Sequence, residues 1–209
     1  LTMIDKVKQL VEKYVAVGSK FELNLSGYLR RLTIYKYQQM ILGELEEDGL
    51  AEDTAVFVWT DHGPMPRGKR WPHDSGIRSP LIARWPGGMA PGTVRGELVS
   101  TIDLAPTVLS LCGVEIPWHI QGQAFLGPWA APERDYVYAA RDRYDEMYDT
   151  VRAVRDQRFK YIRHYHPEKP YMLYNRYRNI HPIMQELWRL HVAGELEGPA
   201  VALMASTLL

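Results

Sequence analysis

Thr54-Ala55-Val56-Phe57-Val58-Trp59-Thr60 runs straight into Asp61-His62-Gly63. The first seven residues are β-branched, aromatic or small, and they are too few for a helix. A nearly continuous apolar run of this kind reads as a buried strand of a parallel sheet. The preceding segment, Tyr28 to Glu47, repeats Leu29, Leu32, Tyr35, Met40, Ile41 and Leu45 at helical spacing and is punctuated by Gly49. Helix, glycine break and buried strand make half of a βαβ unit, so the fold class is α/β.

Working outward, residues 63–79 are rich in Gly, Pro and basic groups and read as a loop. Pro80-Leu81-Ile82-Ala83-Arg84-Trp85 is a second strand, closed by Pro86-Gly87-Gly88. Glu97 to Ser100 is a short extended piece. Thr101 to Cys112 is a helix with Pro106 in its first turn and Gly113 as its stop. After Pro132 the texture changes. Tyr136 to Ala140 and Val151 to Val154 read as strands, and Phe159 to Arg163 alternates and should pair with the latter across Asp156-Gln157. Arg141-Asp142-Arg143-Tyr144-Asp145-Glu146 reads as a solvated, salt-bridged loop that could line a polar pocket. Residues 183–196 are helical. On the N-terminal side, Ile4, Val7, Leu10, Val11 and Tyr14 predict a helix over 4–17, ended by Gly18. The expected organisation is an N-terminal segment over 1–27, an α/β portion over 28–132 and an antiparallel-sheet subdomain with a helix over 133–209.

The chain has 209 residues, with 25 Lys and Arg against 25 Asp and Glu. Zero net charge argues against a dedicated nucleic-acid binder, and 11% aromatic content argues against disorder. One cysteine excludes an internal disulfide and a multi-cysteine metal site. No apolar run reaches membrane-spanning length, and the start is too charged for a signal peptide. Leu1 in first place, and an ending without a closing element, lead to the expectation of a piece of a longer protein.

Asp61 and His62 stand at the carboxyl end of a buried strand, where open α/β sheets bind ligands. A carboxylate and an imidazole there suit a divalent metal; a cap or an Asx turn is the alternative. Arg67, Lys69 and Arg70 follow on a loop and suit an anion such as sulfate or phosphate, or are merely solvated. His73 and Asp74 could join such a site or merely form a turn, and the turn is the reading preferred. Cys112, near the end of an apolar helix, reads as a buried structural thiol. His164, His166, His181 and His191 lack metal-ligand spacing and read as surface or packing residues.

Together these stretches resemble a known family. Asp61-His62-Gly63, Met65-Pro66-Arg67-Gly68-Lys69-Arg70-Trp71 and Asp74-Ser75-Gly76-Ile77-Arg78-Ser79-Pro80 through Pro86-Gly87 resemble the second half of a sulfatase catalytic domain. Leu98 to Thr107 continues the likeness. Val151 to Asp156, Lys160 to Arg163 and His166-Pro167-Glu168 resemble the subgroup around heparan N-sulfatase (sulfamidase). The resemblance implies an alkaline-phosphatase-like α/β fold with a small antiparallel C-terminal sheet. It implies Asp61 and His62 as metal ligands, usually for calcium. Relatives often carry Asn in place of His62, and imidazole also admits manganese or zinc. It implies that Lys69, or Arg70 beside it, contacts the substrate sulfate.

The family's nucleophile is a formylglycine made within Cys/Ser-x-Pro-x-Arg, and that motif does not occur here. Cys112 precedes Gly113-Val114-Glu115 and is not that residue. The family's N-terminal Asp pair is also missing, and two ligands fall short of the six or more oxygens that calcium takes. No catalytic nucleophile is therefore expected in this chain. The expected parent hydrolyses a sulfate ester or N-sulfate, on a sulfated small molecule or glycan, in an exported, periplasmic or lysosomal setting. The alternatives are a phosphodiesterase or phosphonate hydrolase of the same superfamily, or a non-catalytic remnant.

Overall fold

The computed structural model describes residues 27–63 and 68–205. The helix expected over 4–17 lies outside the described residues, as does Arg67. Contact density divides the chain into two compact units. The described residues of the first are 27–56 and 84–90; the second holds 57–63, 68–83 and 91–205.

The first unit is built on helix α1, Gly27–Glu47, followed by a 3-10 turn over Ala51–Asp53. Gly49, at φ +68°, supplies the left-handed step that ends the helix. Arg84 donates to the Ala51 carbonyl and to Glu52 at 3.2 Å, tying the turn down.

Strands β1, Val56–Trp59, and β2, Leu81–Arg84, form where the apolar runs predict them and pair as a two-stranded sheet. They differ from expectation in burial. Trp59 is half exposed and Ile82 is 63% exposed. Apolar residues selected for an interior have only each other as partners among the described strands. Each strand therefore offers an open edge to another copy. The isolated chain is expected to self-associate, which size-exclusion chromatography reads directly. A monodisperse monomer with a cooperative thermal transition would contradict that.

In the second unit, a 3-10 turn over Thr101–Asp103 leads into α3, Leu104–Leu111. Gly113 stops it at φ +69°. Three buried polar side chains on this run organise the long irregular segment that follows. Asp103 accepts from the Ser100 and Gln123 backbone N–H groups at 2.7 and 2.8 Å and from Arg134 at 2.6 Å. The Thr107 hydroxyl accepts from Phe125 N–H at 3.1 Å, and that of Ser110 from Trp129 N–H at 3.0 Å. A segment without its own ladder thus satisfies its backbone through one helix face.

Strands β3 (Val137–Tyr144), β4 (Met147–Arg155) and β5 (Lys160–His164) form an antiparallel sheet in that order. The β4–β5 hairpin is the expected one. Arg155 pairs with Lys160, and Asp156 accepts from Arg158 N–H at 2.7 Å within the turn.

The segment expected to be a solvated loop, Arg141 to Glu146, is instead the end of β3 and a tight turn into β4. The register shifts between Arg141 and Arg143. That bulge lets both Arg141 and Tyr144 turn inward, although they are three residues apart. Asp145, at φ +52°, makes the turn, a conformation Asp tolerates better than most residues.

Among the described residues the unit also holds α2 (Asp74–Ile77), α4 (Arg176–Asn179), α5 (Pro182–Ala193) and α6 (Pro199–Met204). α5 matches the helix expected over 183–196 and ends at Gly194, φ +70°. The core gathers Trp71, Tyr144, Met172, Met184 and Met204. Trp71 is a loop residue, so the loop that carries Lys69 and Arg70 is anchored in the core.

Candidate functional site

Asp61 and His62 emerge at the end of β1, as their position after the apolar run requires. The Asp61 side chain is 83% exposed and lies 3.6 Å from His62 Nε2. Gly63 follows because nothing larger fits. A Cβ there would sit 1.6 Å from the Ser75 carbonyl oxygen. Gly63 N–H instead donates to the Gly76 carbonyl at 2.8 Å. Gly76 is packed as tightly, since its Cβ would meet the Trp71 and Gly68 carbonyl oxygens at 2.1 and 2.3 Å. Two glycines thus lace the Asp61–His62 turn to the loop of Gly68 to Trp71 through direct backbone approach.

Lys69 and Arg70 differ in their surroundings. Lys69 Nζ lies over the Tyr177 ring, 5.4 Å from its centroid, and has no acidic partner among the described residues. Arg70 is ion-paired with Asp145. It is also a non-glycine residue at φ +70°, an uncommon conformation that its surroundings must hold. Arg141 donates to the Arg70 carbonyl at 3.2 Å, and Arg178 donates to the Lys69 carbonyl at 3.1 Å. Both consecutive carbonyls of the turn are therefore taken by arginines from the C-terminal part of the chain. Arg70, Arg141 and Arg178 lie 5.7, 5.7 and 4.5 Å from the centroid of the Tyr144 ring. Burial raises the Tyr144 phenol above its usual range, against the pull of those three cations.

Arg141 is paired with Asp149, and their side chains are 9% and 5% exposed. Arg141 Nε and Asp149 Oδ1 are buried without a partner among the described residues. Burial pulls the Arg141 guanidinium down from its ordinary value, and Asp149 opposes this. Sequence reasoning misses Asp149 and Arg178, and reads Arg141 and Tyr144 as part of a loop that could line a polar pocket.

His73 and Asp74 start a short helix rather than forming the expected turn, and their contacts bind it to the sheet. His73 precedes the short helix α2, Asp74–Ile77. Asp74 accepts from Arg155 and Lys160, each at 2.8 Å, and ties that helix to the sheet. His73 packs on Tyr171 at 4.7 Å and lies 6.4 Å from His164, ring centre to ring centre. Burial, and then the charges of His164, Lys160 and Arg141, push His73 down to about 4, with Asp74 opposing. An unfolded histidine takes its proton near 6.5, so between those pH values the unfolded chain holds about one proton more. Stability therefore falls as pH drops through that window. His73→Phe is expected to flatten the fall of the melting temperature between pH 6.5 and 4.5. An unchanged slope would assign the acid sensitivity to other groups.

Asp61 and His62 have the donor chemistry for a divalent cation, but they are two donors. Among the described residues no group of three His, Cys, Asp or Glu could hold a metal ion. The pair thus fits one side of a site. Cys112, expected to be buried, is exposed. It caps the end of α3, just before the helix turns into Gly113. No helix among the described residues is long and apolar enough to cross a membrane.

Residues 62–192 match the family model described as N-sulphoglucosamine sulphohydrolase, C-terminal. An "Ulvan-active sulfatase" of Formosa agariphila is 49% identical over 157 residues, which are 75% of this chain and 26% of that protein. A second protein of the same description and organism is 29% identical over 146 residues, 67% of this chain and 29% of its own length. The chain thus spans little more than a quarter of these relatives. Among solved structures, one described as in complex with its substrate D-glucosamine-2-N,6-O-disulfate superposes with a TM-score of 0.51 at 25% identity. The match covers 76% of this chain and 35% of that one.

Proposed function

The chain belongs to the N-sulphoglucosamine sulphohydrolase C-terminal family, and from that premise we propose that it is the C-terminal part of a sulfatase acting on a sulfate ester or N-sulfate of a sugar. Its α/β architecture with a small antiparallel sheet is that of the C-terminal region of alkaline-phosphatase-like sulfatases. The observation that carries the proposal is the glycine lacing between two turns. It joins a metal-type Asp61–His62 pair to a core-anchored loop whose Lys69 has no counter-ion among the described residues.

In this reading Lys69 neutralises charge on the sulfate oxygens as the bond to sulfur changes. Arg70, already engaged by Asp145, contributes less. Asp61 and His62 hold a divalent cation in part, calcium by family kinship or manganese or zinc by the chemistry of imidazole. That cation would supply Lewis acidity at the same oxygens. The remaining carboxylates and a formylglycine nucleophile belong to a preceding region of the protein, outside this chain. Family kinship favours an exported, periplasmic or lysosomal setting.

The test uses this chain joined to that preceding region, assayed on an aryl sulfate, an aryl phosphate and N-sulfoglucosamine. Release of sulfate well above release of phosphate supports the proposal. The opposite preference would make the protein a phosphodiesterase or phosphonate hydrolase of the same superfamily. A cooperatively folded protein that releases neither, and binds neither divalent cation nor sulfated sugar, would overturn catalysis altogether.

A further inference from the structure

Arg178 is 1% exposed, although it lies on a helix of only four residues. Its guanidinium sits 4.5 Å from the Tyr144 ring centroid and 5.4 Å from that of Trp71. One terminal nitrogen donates to Met172 Sδ at 2.9 Å and the other to the Lys69 carbonyl at 3.1 Å. No carboxylate pairs with it among the described residues. Burying a cation without a counter-charge is costly, and an apolar side chain of similar volume would fill a core of Trp71, Met172 and Met184 at less expense. The strong oxygen acceptor this cation has is the carbonyl of Lys69.

The adjacent residue acts on the other end of the same lysine. The Tyr177 ring lies under Lys69 Nζ at 5.4 Å. One short helix therefore holds Lys69 by its carbonyl and by its ammonium. Asn175 fixes that helix from below. Its side-chain oxygen accepts from Arg178 N–H at 2.9 Å, and its amide donates to Asp145, the ion-pair partner of Arg70, at 2.6 Å.

We propose that Arg178 and Tyr177 are positioning residues for Lys69, fixing where its ammonium meets an anionic group of the substrate. This rests on the sulfate-binding reading of Lys69. Neither residue need touch the substrate. Arg178 sets the backbone of a turn that Arg70, at positive φ, would not adopt unaided. Tyr177 offers a ring face that restrains the ammonium without neutralising it.

The experiment is a double-mutant cycle in the protein that joins this chain to its preceding region, read as kcat/KM on an aryl sulfate and as Ki for inorganic sulfate. Arg178→Met is expected to lower kcat/KM about 10–100-fold and to raise Ki for sulfate. In a Lys69→Ala background the same change should cost no more than about twofold, because its effect travels through the missing side chain. Arg178→Lys, which keeps a donor for the Lys69 carbonyl, should recover part of the loss. Equal losses in both backgrounds would leave Arg178 a packing residue and overturn the proposal while the reading of Lys69 stands. Lys69→Ala without effect would remove both. If Arg178→Met does not fold, Tyr177→Leu decides by the same cycle, since its half-exposed ring is not part of the core.

Discussion

Lys69→Ala is expected to lower kcat/KM on an aryl sulfate by roughly 10²–10³-fold with a fall in melting temperature of no more than about 4 °C. The two halves of that expectation come from different contacts. The ammonium touches one ring, that of Tyr177, at 5.4 Å and pairs with no carboxylate among the described residues. Its removal forfeits about 0.5–1 kcal/mol of exposed cation–π contact. The turn itself is held by the backbone carbonyls that Arg178 and Arg141 bind, which alanine retains. A positive charge held beside a developing anion acts more strongly than its resting contacts suggest, because it need not be reorganised during the reaction. Arg70→Ala should be the milder change in rate, because its guanidinium is already spoken for by Asp145. It should be the more destabilising of the two, because that ion pair anchors the β3–β4 turn. If Arg70→Ala abolished turnover while Lys69→Ala left kcat/KM within about threefold, the roles would have to be exchanged.

The sequence made local features legible where a local pattern carries the information. A β-branched apolar run ends just before Asp61, and the strand ends within it, at Trp59. The alternation in Phe159 to Arg163 and the Asp156 turn are hairpin signals, and the hairpin has that register. Gly113 and Gly194 end helices by taking the left-handed conformation. The same local reading could not see what holds the candidate site. Arg141 to Glu146 carries five charges in six residues and reads as solvated. The register shift that turns both Arg141 and Tyr144 inward breaks the alternation by which a strand is recognised. Arg178 is surrounded in sequence by Asn175, Arg176 and Asn179 and looks like a surface residue. Its burial depends on a partner 109 positions away, and that of Arg141 on one 71 positions away. Contacts at that separation leave no periodic trace in the chain. Burial of β1 is the opposite case: the pattern marks a strand, but a strand is buried only by neighbours, and among the described strands β1 has one.

Asp149→Ala is expected to be the most destabilising single change in the antiparallel sheet, at about 3–5 kcal/mol. It would leave the Arg141 guanidinium in the interior with no carboxylate, beside two other cations that already ring Tyr144. For a chain of this size each kcal/mol lowers the melting temperature by about 2–4 °C, so a loss on the order of 10 °C is expected from calorimetry of the joined protein. A pair that is costly to break is not thereby a source of stability. Arg141 Nε and Asp149 Oδ1 lack partners among the described residues even in the intact pair, so its desolvation is incompletely repaid. The double variant Arg141→Met with Asp149→Leu should therefore recover most of the lost melting temperature. It should not recover turnover, because Arg141 also donates to the carbonyl of Arg70, and no methionine can. Stability restored with kcat/KM still depressed would separate the two tasks of this arginine. Recovery of both together would show that the pair serves packing alone.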